Sequence, residues 1–211
     1  MATVITSFDD AVARARSLCT GPRRILGVVG PPGAGKSTLT AALVAALGEV
    51  AVAVPMDGFH LAQAVLDSRG AAERKGAPDT FDAEGYLALL RRLRYQTEEY
   101  VYAPEFRREI EEPIAGAIPV HRSTPLVVTE GNYLLMSDPP WDEIADLLDE
   151  AWYVDADEAA RLTRLVQRHA AHGKSLEAAR RWAYGSDQRN AELVAATRHR
   201  ADVVVRLEAP R

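Results

Sequence analysis

Cysteine is nearly absent from this chain, with Cys19 the only one. A lone thiol builds neither a disulfide framework nor a cysteine metal site. Positive charge is in deficit, since 25 Lys and Arg face 30 Asp and Glu for a formal net charge of −5. That balance leaves no excess cation for phosphate backbones and argues against a general nucleic-acid partner, although a local arginine cluster can still hold a small anion. No apolar run approaches membrane length, and the start MATVITSFDD lacks a basic segment followed by an apolar one. These absences predict a soluble, cytoplasmic protein with no membrane partner. Internal repeats, low-complexity tracts and linkers are missing too, and 211 residues suit one domain, or one domain with an inserted lid.

Lysine is also scarce, with three among the 25 basic residues, and one of the three stands in the most informative stretch. Gly30-Pro31-Pro32-Gly33-Ala34-Gly35-Lys36-Ser37 has two glycines at the spacing of a phosphate-binding (Walker A) loop, followed by Lys and Ser. A chance match in a chain of this length has a probability of roughly one percent or less. Ile25 to Val29 reads as a short buried strand before the loop, and Thr38 to Leu47 as a helix after it. Amides of such a loop converge on phosphate at a helix N-terminus, and glycine permits the backbone conformations that let them converge. Gly33, Ala34, Gly35, Lys36, Ser37 and Thr38 are the expected nucleotide contacts, with Lys36 reaching the β- and γ-phosphates and Ser37 ligating magnesium.

Along the rest of the chain, Ser7 to Leu18 reads as an amphipathic helix and Val50 to Met56 as a second strand delivering Asp57. Asp67 to Asp82 is polar and irregular, and Glu84 to Leu93 helical. Tyr100 to Val120 suits a hairpin outside the main sheet, because prolines recur at 104, 113 and 119. Leu126 to Thr129 is a buried strand ending at Glu130, Trp141 to Leu148 reads as helical, and Ala151 to Val154 as a strand. Glu158 to His172 and Leu176 to Ala196 read as helices, and Asp202 to Leu207 as the last strand. Short apolar strands alternating with helices predict an α/β fold, an open and mainly parallel sheet with helices on both faces. Ligands of such sheets bind beyond the carboxyl ends of the strands, where the loop, Asp57 and Glu130 converge.

Phosphoryl transfer needs held phosphates, a magnesium ion and an acceptor hydroxyl whose proton is received. Glu130 is placed to help hold magnesium, or is a surface acid at a strand end. Asp57, expected on the strand beside the loop strand, is placed to take the hydroxyl proton, or caps an Asp-Gly turn. His60 binds substrate or is a satisfied structural histidine. Arg161, Arg164 and Arg168 share one helix face, suited to charge on a transferring phosphoryl group or to a solvated basic face. Gly173-Lys174 reads as a lid turn.

With these residues in hand, the chain from Ile25 onward resembles the phosphoribulokinase/uridine kinase family of P-loop kinases, which includes bacterial-type pantothenate kinase. The resemblance rests on the phosphate loop, Asp57-Gly58-Phe59, Glu130-Gly131 and Arg161-Leu162-Thr163-Arg164 through Arg168. Met56 to Leu61, Arg74 to Asp82, Glu130 to Leu135, Asp187 and Asn190-Ala191 are similar to a branch variously labelled fructose-transport-system kinase-like, uridine kinase-like or pantothenate kinase-like. The resemblance implies one kinase domain over residues 1–211, with a lid near 161–175 and a substrate-side excursion near 67–120. It implies an ATP- and Mg2+-dependent enzyme with Asp57 as base, Lys36 and Arg164 assisting catalysis, and Arg161 and Arg168 on the nucleotide. Asp57, His60, Arg74, Lys75, Asp79, Arg108 and Tyr133 become candidate acceptor-side residues, Ser37 and Glu130 the metal ligands, and a homodimer is compatible with the family. One departure is Arg107, where the branch pattern expects an acid before Arg108.

The leading expectation is a small-molecule kinase phosphorylating a sugar, nucleoside or pantothenate-like alcohol. A regulatory NTPase is the alternative from another class. Against it, no Asn/Thr-Lys-x-Asp guanine-reading motif and no Cys or His cluster occurs.

Overall fold

The computed structural model describes residues 2–207. In chain order the first elements are β1 (Thr3–Ile5), α1 (Phe8–Ser17), β2 (Arg24–Val29), α2 (Lys36–Leu47), β3 (Ala51–Pro55), α3 (Gln63–Ser68) and α4 (Ala83–Arg94). There follow β4 (Tyr100–Arg107), β5 (Glu112–His121), β6 (Leu126–Gly131), β7 (Glu150–Val154), α5 (Glu158–Ala171), α6 (Leu176–Tyr184), α7 (Ser186–Ala196) and β8 (Val203–Val205). Six strands form a wholly parallel sheet in the order β1-β8-β7-β2-β6-β3, while β4 and β5 make a separate antiparallel hairpin.

Strands of such a sheet are buried on both faces and so read as continuous apolar runs. All six residues of β6 are buried. Alternate side chains feed two cores. Ile25, Val29 and Val127 pack with Tyr86, Leu87 and Leu90 of α4 and with Val101 and Val120 of the hairpin. Leu26, Val28 and Val128 pack with Ala11 and Ala15 of α1 and with Leu39 and Leu43 of α2. Tyr86 Oη and Thr129 Oγ1 lie 2.6 Å apart in the first core, and Thr129 donates to the Val54 carbonyl at 2.7 Å, so both buried hydroxyls are paired. No helix among the described residues is long and apolar enough to cross a membrane.

Three expectations are corrected and one strand is added. The strand ending at Asp57 does not adjoin the loop strand, because β6 lies between them: Glu130 registers with Val28 of β2 on one side and Pro55 of β3 on the other. Trp141–Glu143 and Ala145–Leu147 are two 3-10 turns rather than one α-helix. The stretch Leu176 to Ala196 breaks at Gly185, where an added Cβ would lie 2.6 Å from the Arg181 carbonyl, so the chain turns from α6 into α7 through a space a side chain would fill. Finally, β1 extends the sheet beside β8, too short a run for periodicity to mark.

Candidate active site

The loop after β2 runs into α2 through Gly35, which has φ +100 and offers no side-chain cap. The first turn of α2 also lacks an acid, so its free amides and positive dipole end face outward for an anion. At Gly33, φ is +79, and an added Cβ would lie 2.8 Å from Leu165 Cγ and 2.9 Å from the Arg161 carbonyl. Glycine is therefore needed there for conformation and for the close packing of α5 on the loop. Lys36 is only 8% exposed. Its Nζ donates to Asn132 Oδ1 at 2.7 Å and to the Pro31 carbonyl at 3.2 Å. Burial lowers the Lys36 pKa, with the charges of Glu130 and Asp57 opposing that effect.

One strand over, Ser37 Oγ donates to Glu130 Oε1 at 2.7 Å. Burial, reinforced by the charge of Asp57, raises the Glu130 carboxyl above its ordinary pKa against the pull of Lys36 and Ser37. A hydroxyl beside a carboxylate is a hard oxygen donor set that suits Mg2+. Among the described residues no cluster of three or more His, Cys, Asp or Glu could hold a metal by itself. Mg2+ keeps several waters and binds through one or two protein oxygens plus phosphate oxygens.

At the end of β3, Asp57 sits on a short 3-10 turn, Met56–Phe59. A Cβ on Gly58 would meet the Pro104 carbonyl at 2.4 Å, so the hairpin lies directly against this turn. Phe106 on β4 and Arg108 in the turn just after it line the cleft, while Arg107 between them is exposed, 3.8 Å from Glu105. The replacement of the expected acid by Arg107 thus falls outside the cleft lining. Arg108 Nη2 donates to Asp57 Oδ2 at 3.2 Å. Burial opposes ionisation of Asp57, but His60, Arg108, Lys36 and Arg168 outweigh it and hold the carboxyl below its usual range. Burial in turn lowers the His60 pKa, with the charge of Asp57 opposing that effect. The His60 ring centroid lies 4.0 Å from that of Phe81 and 4.6 Å from that of Phe106.

Together these ends line one cleft of about 390 Å³, closed on the far side by Arg168, His169, His172, Lys174, Trp182, Asp187 and Asn190. The sequence from residue 25 to 209 matches the Phosphoribulokinase / Uridine kinase family. The chain belongs to that family. It is 35% identical over 179 residues to "Putative uridine kinase C227.14" of Schizosaccharomyces pombe, covering 80% of this chain and 76% of that one. It is 33% identical over 190 residues to the uncharacterized protein YggC of Escherichia coli, covering 88% and 78%. A crystal structure from Silicibacter sp. TM1040, named "putative fructose transport system kinase", superposes with TM-score 0.85 at 38% identity over 95% of this chain and 99% of that one. The chain is accordingly a kinase, a phosphotransferase with a hydroxyl acceptor, on an α/β P-loop fold.

Of the residues singled out from sequence, this family member brings Gly33, Lys36, Ser37, Asp57, His60, Lys75, Arg108, Glu130 and Arg168 to the cleft. Arg74 and Asp79 pair with each other at the surface instead. Tyr133 is buried, and its hydroxyl donates to the Gly76 carbonyl, which also accepts from Asn190 Nδ2 at 3.2 Å. Arg161 is buried too, donating to the Pro32 carbonyl at 3.2 Å and to Gln188, so it braces the loop from behind. Arg164 lies outside the cleft lining, with Nη1 3.4 Å from the point a Cβ on Gly35 would occupy. Sequence reasoning gave no role to Asn132, the partner of Lys36, although it stands two residues beyond Glu130. It also passed over Phe81, Phe106 and the Asp187–His169 contact at 2.7 Å, which only the folded chain assembles.

Proposed function

We propose that this kinase moves the γ-phosphoryl group of ATP to a hydroxyl of a small acceptor, a sugar, nucleoside or pantothenate-like alcohol. The supporting observation is that three neighbouring strand ends place Lys36, Ser37, Glu130 and Asp57 around one cleft. The loop amides and Lys36 hold the phosphates, as the free N-terminus of α2 favours. Ser37 and Glu130 would hold magnesium, which when bound offsets charge on the phosphates. Asp57, ionised at neutral pH, accepts the hydroxyl proton as the acceptor oxygen bonds to the γ-phosphorus and the bond to the ADP oxygen breaks. Arg168 makes no side-chain hydrogen bond among the described residues and is free to meet charge on the transferring group. The α5–α6 hairpin, turned at Gly173 with φ +90, serves as the lid over residues 161–175.

The test is ADP release with ATP and magnesium across sugars, nucleosides, pantothenate and related alcohols. Release stimulated by one acceptor is the expected result. Hydrolysis at one rate whatever is added would move the assignment to a regulatory NTPase.

A further inference from the structure

The acceptor end of the cleft carries unspent positive donors. Lys75 Nζ donates to Gln63 Oε1 at 3.2 Å and to the Glu111 carbonyl at 2.6 Å, both neutral oxygens. An ammonium has three donors, so one remains, and Lys75 forms no ion pair among the described residues. Arg108 has five N–H groups, and one hydrogen bond, to Asp57, accounts for only one of them. Both cations lie against the same ring, with Lys75 Nζ 5.4 Å and the Arg108 guanidinium carbon 6.0 Å from the Phe106 centroid. Acids are present as well, but Glu73 and Glu111 are exposed at the rim, where water screens them, and Asp187 is committed to His169.

The aromatic rings of the cleft are already engaged. His60 packs between Phe81 and Phe106, Phe81 meets Tyr133 and Trp141 edge-on, and Lys174 caps Trp182 at 4.9 Å. Recognition of a nucleobase leans on stacking against a free aromatic face. A compact polyol needs none.

We propose that the acceptor is a small non-aromatic polyol bearing a carboxylate or a phosphate, bound through Lys75 and Arg108 beside Phe106, and not a nucleoside. This rests on the kinase reading above and narrows its acceptor. Charge-assisted hydrogen bonds to such a group would fix which hydroxyl faces Asp57.

The test uses the full chain saturated with a non-hydrolysable ATP analogue and magnesium. It is titrated calorimetrically with two matched sets and with uridine. The sets are glycerate, glycerol 3-phosphate and glycerol, then gluconate, glucose 6-phosphate and glucose, so the carboxylate and phosphate arms identify the anion. In at least one set an anionic member binds roughly tenfold or more tightly than its neutral counterpart. Lys75→Met brings that preference to within about twofold, Lys75→Arg keeps it, and the affinity for the ATP analogue does not change. A neutral polyol or uridine binding as well as every anion overturns the inference. So does the absence of any anion preference, its survival in Lys75→Met, or its loss in the charge-keeping Lys75→Arg. The same compounds assayed for ADP release with ATP keep the two readings apart. Stimulation by a neutral acceptor alone leaves the kinase standing and removes this inference, whereas acceptor-independent hydrolysis removes the kinase reading.

Discussion

At the phosphate end of the cleft, Lys36 and Ser37 open α2, Glu130 belongs to β6, and each polar group is buried or locked to a neighbour on the sheet. At the acceptor end, Asp57 and His60 sit on a 3-10 turn and its exit, Lys75 on a loop, and Phe106 and Arg108 on a hairpin outside the sheet. The first end is preorganised by the same core that folds the protein. The second is held by a few polar tethers, among them Lys75 to Glu111, Gln63 N to Glu112 at 3.0 Å, and the shared carbonyl of Gly76. Glu111, at the hairpin tip, is the one non-glycine residue with positive φ, at 54°, among the described residues. A residue so held in the left-handed region costs of order 1–3 kcal/mol and marks a tip fixed by its contacts. On the reading proposed above, the sheet-borne end would hold the nucleotide and the tethered end the acceptor.

The most severe way to break the contrast is Lys36→Ala. It should cut kcat/KM by roughly 10³-fold or more and weaken ATP binding as well, because the mutation removes a cation from the transferring charge and leaves Glu130 without it. Unchanged ATP affinity in a calorimetric titration would count against the loop assignment. Asp57→Asn should separate the two ends. Phosphoryl transfer falls by roughly 10²- to 10³-fold while ATP affinity stays within about twofold, since only the proton acceptor is lost. Near-wild-type turnover would remove Asp57 from that role.

The smallest effect concerns pH. Asp57 is held below the ordinary carboxylate range, so its own contribution to the acid limb of the kcat/KM profile should lie below that range, apart from that of Glu130, whose carboxyl is raised. A depressed carboxyl contributes stability that is present above its unfolded pKa and is lost as pH falls through the folded one. Arg108→Gln removes one of the charges responsible, so the acid limb should move upward, with kcat at pH 7 changing by less than about tenfold. An unmoved limb would show that Lys36 and Arg168 suffice to hold Asp57.

The phosphate end was legible in sequence because its parts are contiguous: a strand, a glycine loop, Lys-Ser and a helix, with Glu130 closing an apolar run. The acceptor end was legible only in part. Asp57 and His60 were read from their place after a strand and the others from a resemblance, and of those others Arg74, Asp79 and Tyr133 fall outside the cleft lining. The packing of His60 between Phe81 and Phe106 joins residues 21 and 46 positions further along, which no local pattern encodes. Strand order failed for a similar reason. Apolar runs announce that a strand is buried, and do not say which strand lies beside it. The break at Gly185 was visible as a glycine in a helical stretch, yet only the close approach to the Arg181 carbonyl shows why the helix stops there.

The insertion of β6 between β2 and β3 makes the sheet a ruler. Parallel neighbours lie about 4.8 Å apart, so the loop strand and the strand of Asp57 are offset by about 10 Å. On the kinase reading proposed above, the donor's phosphate chain would span that width past the end of β6. On that same reading, a nucleotide with fewer phosphates would reach the loop and fall short of Asp57. On this scaffold the length of the donor is measured in strands.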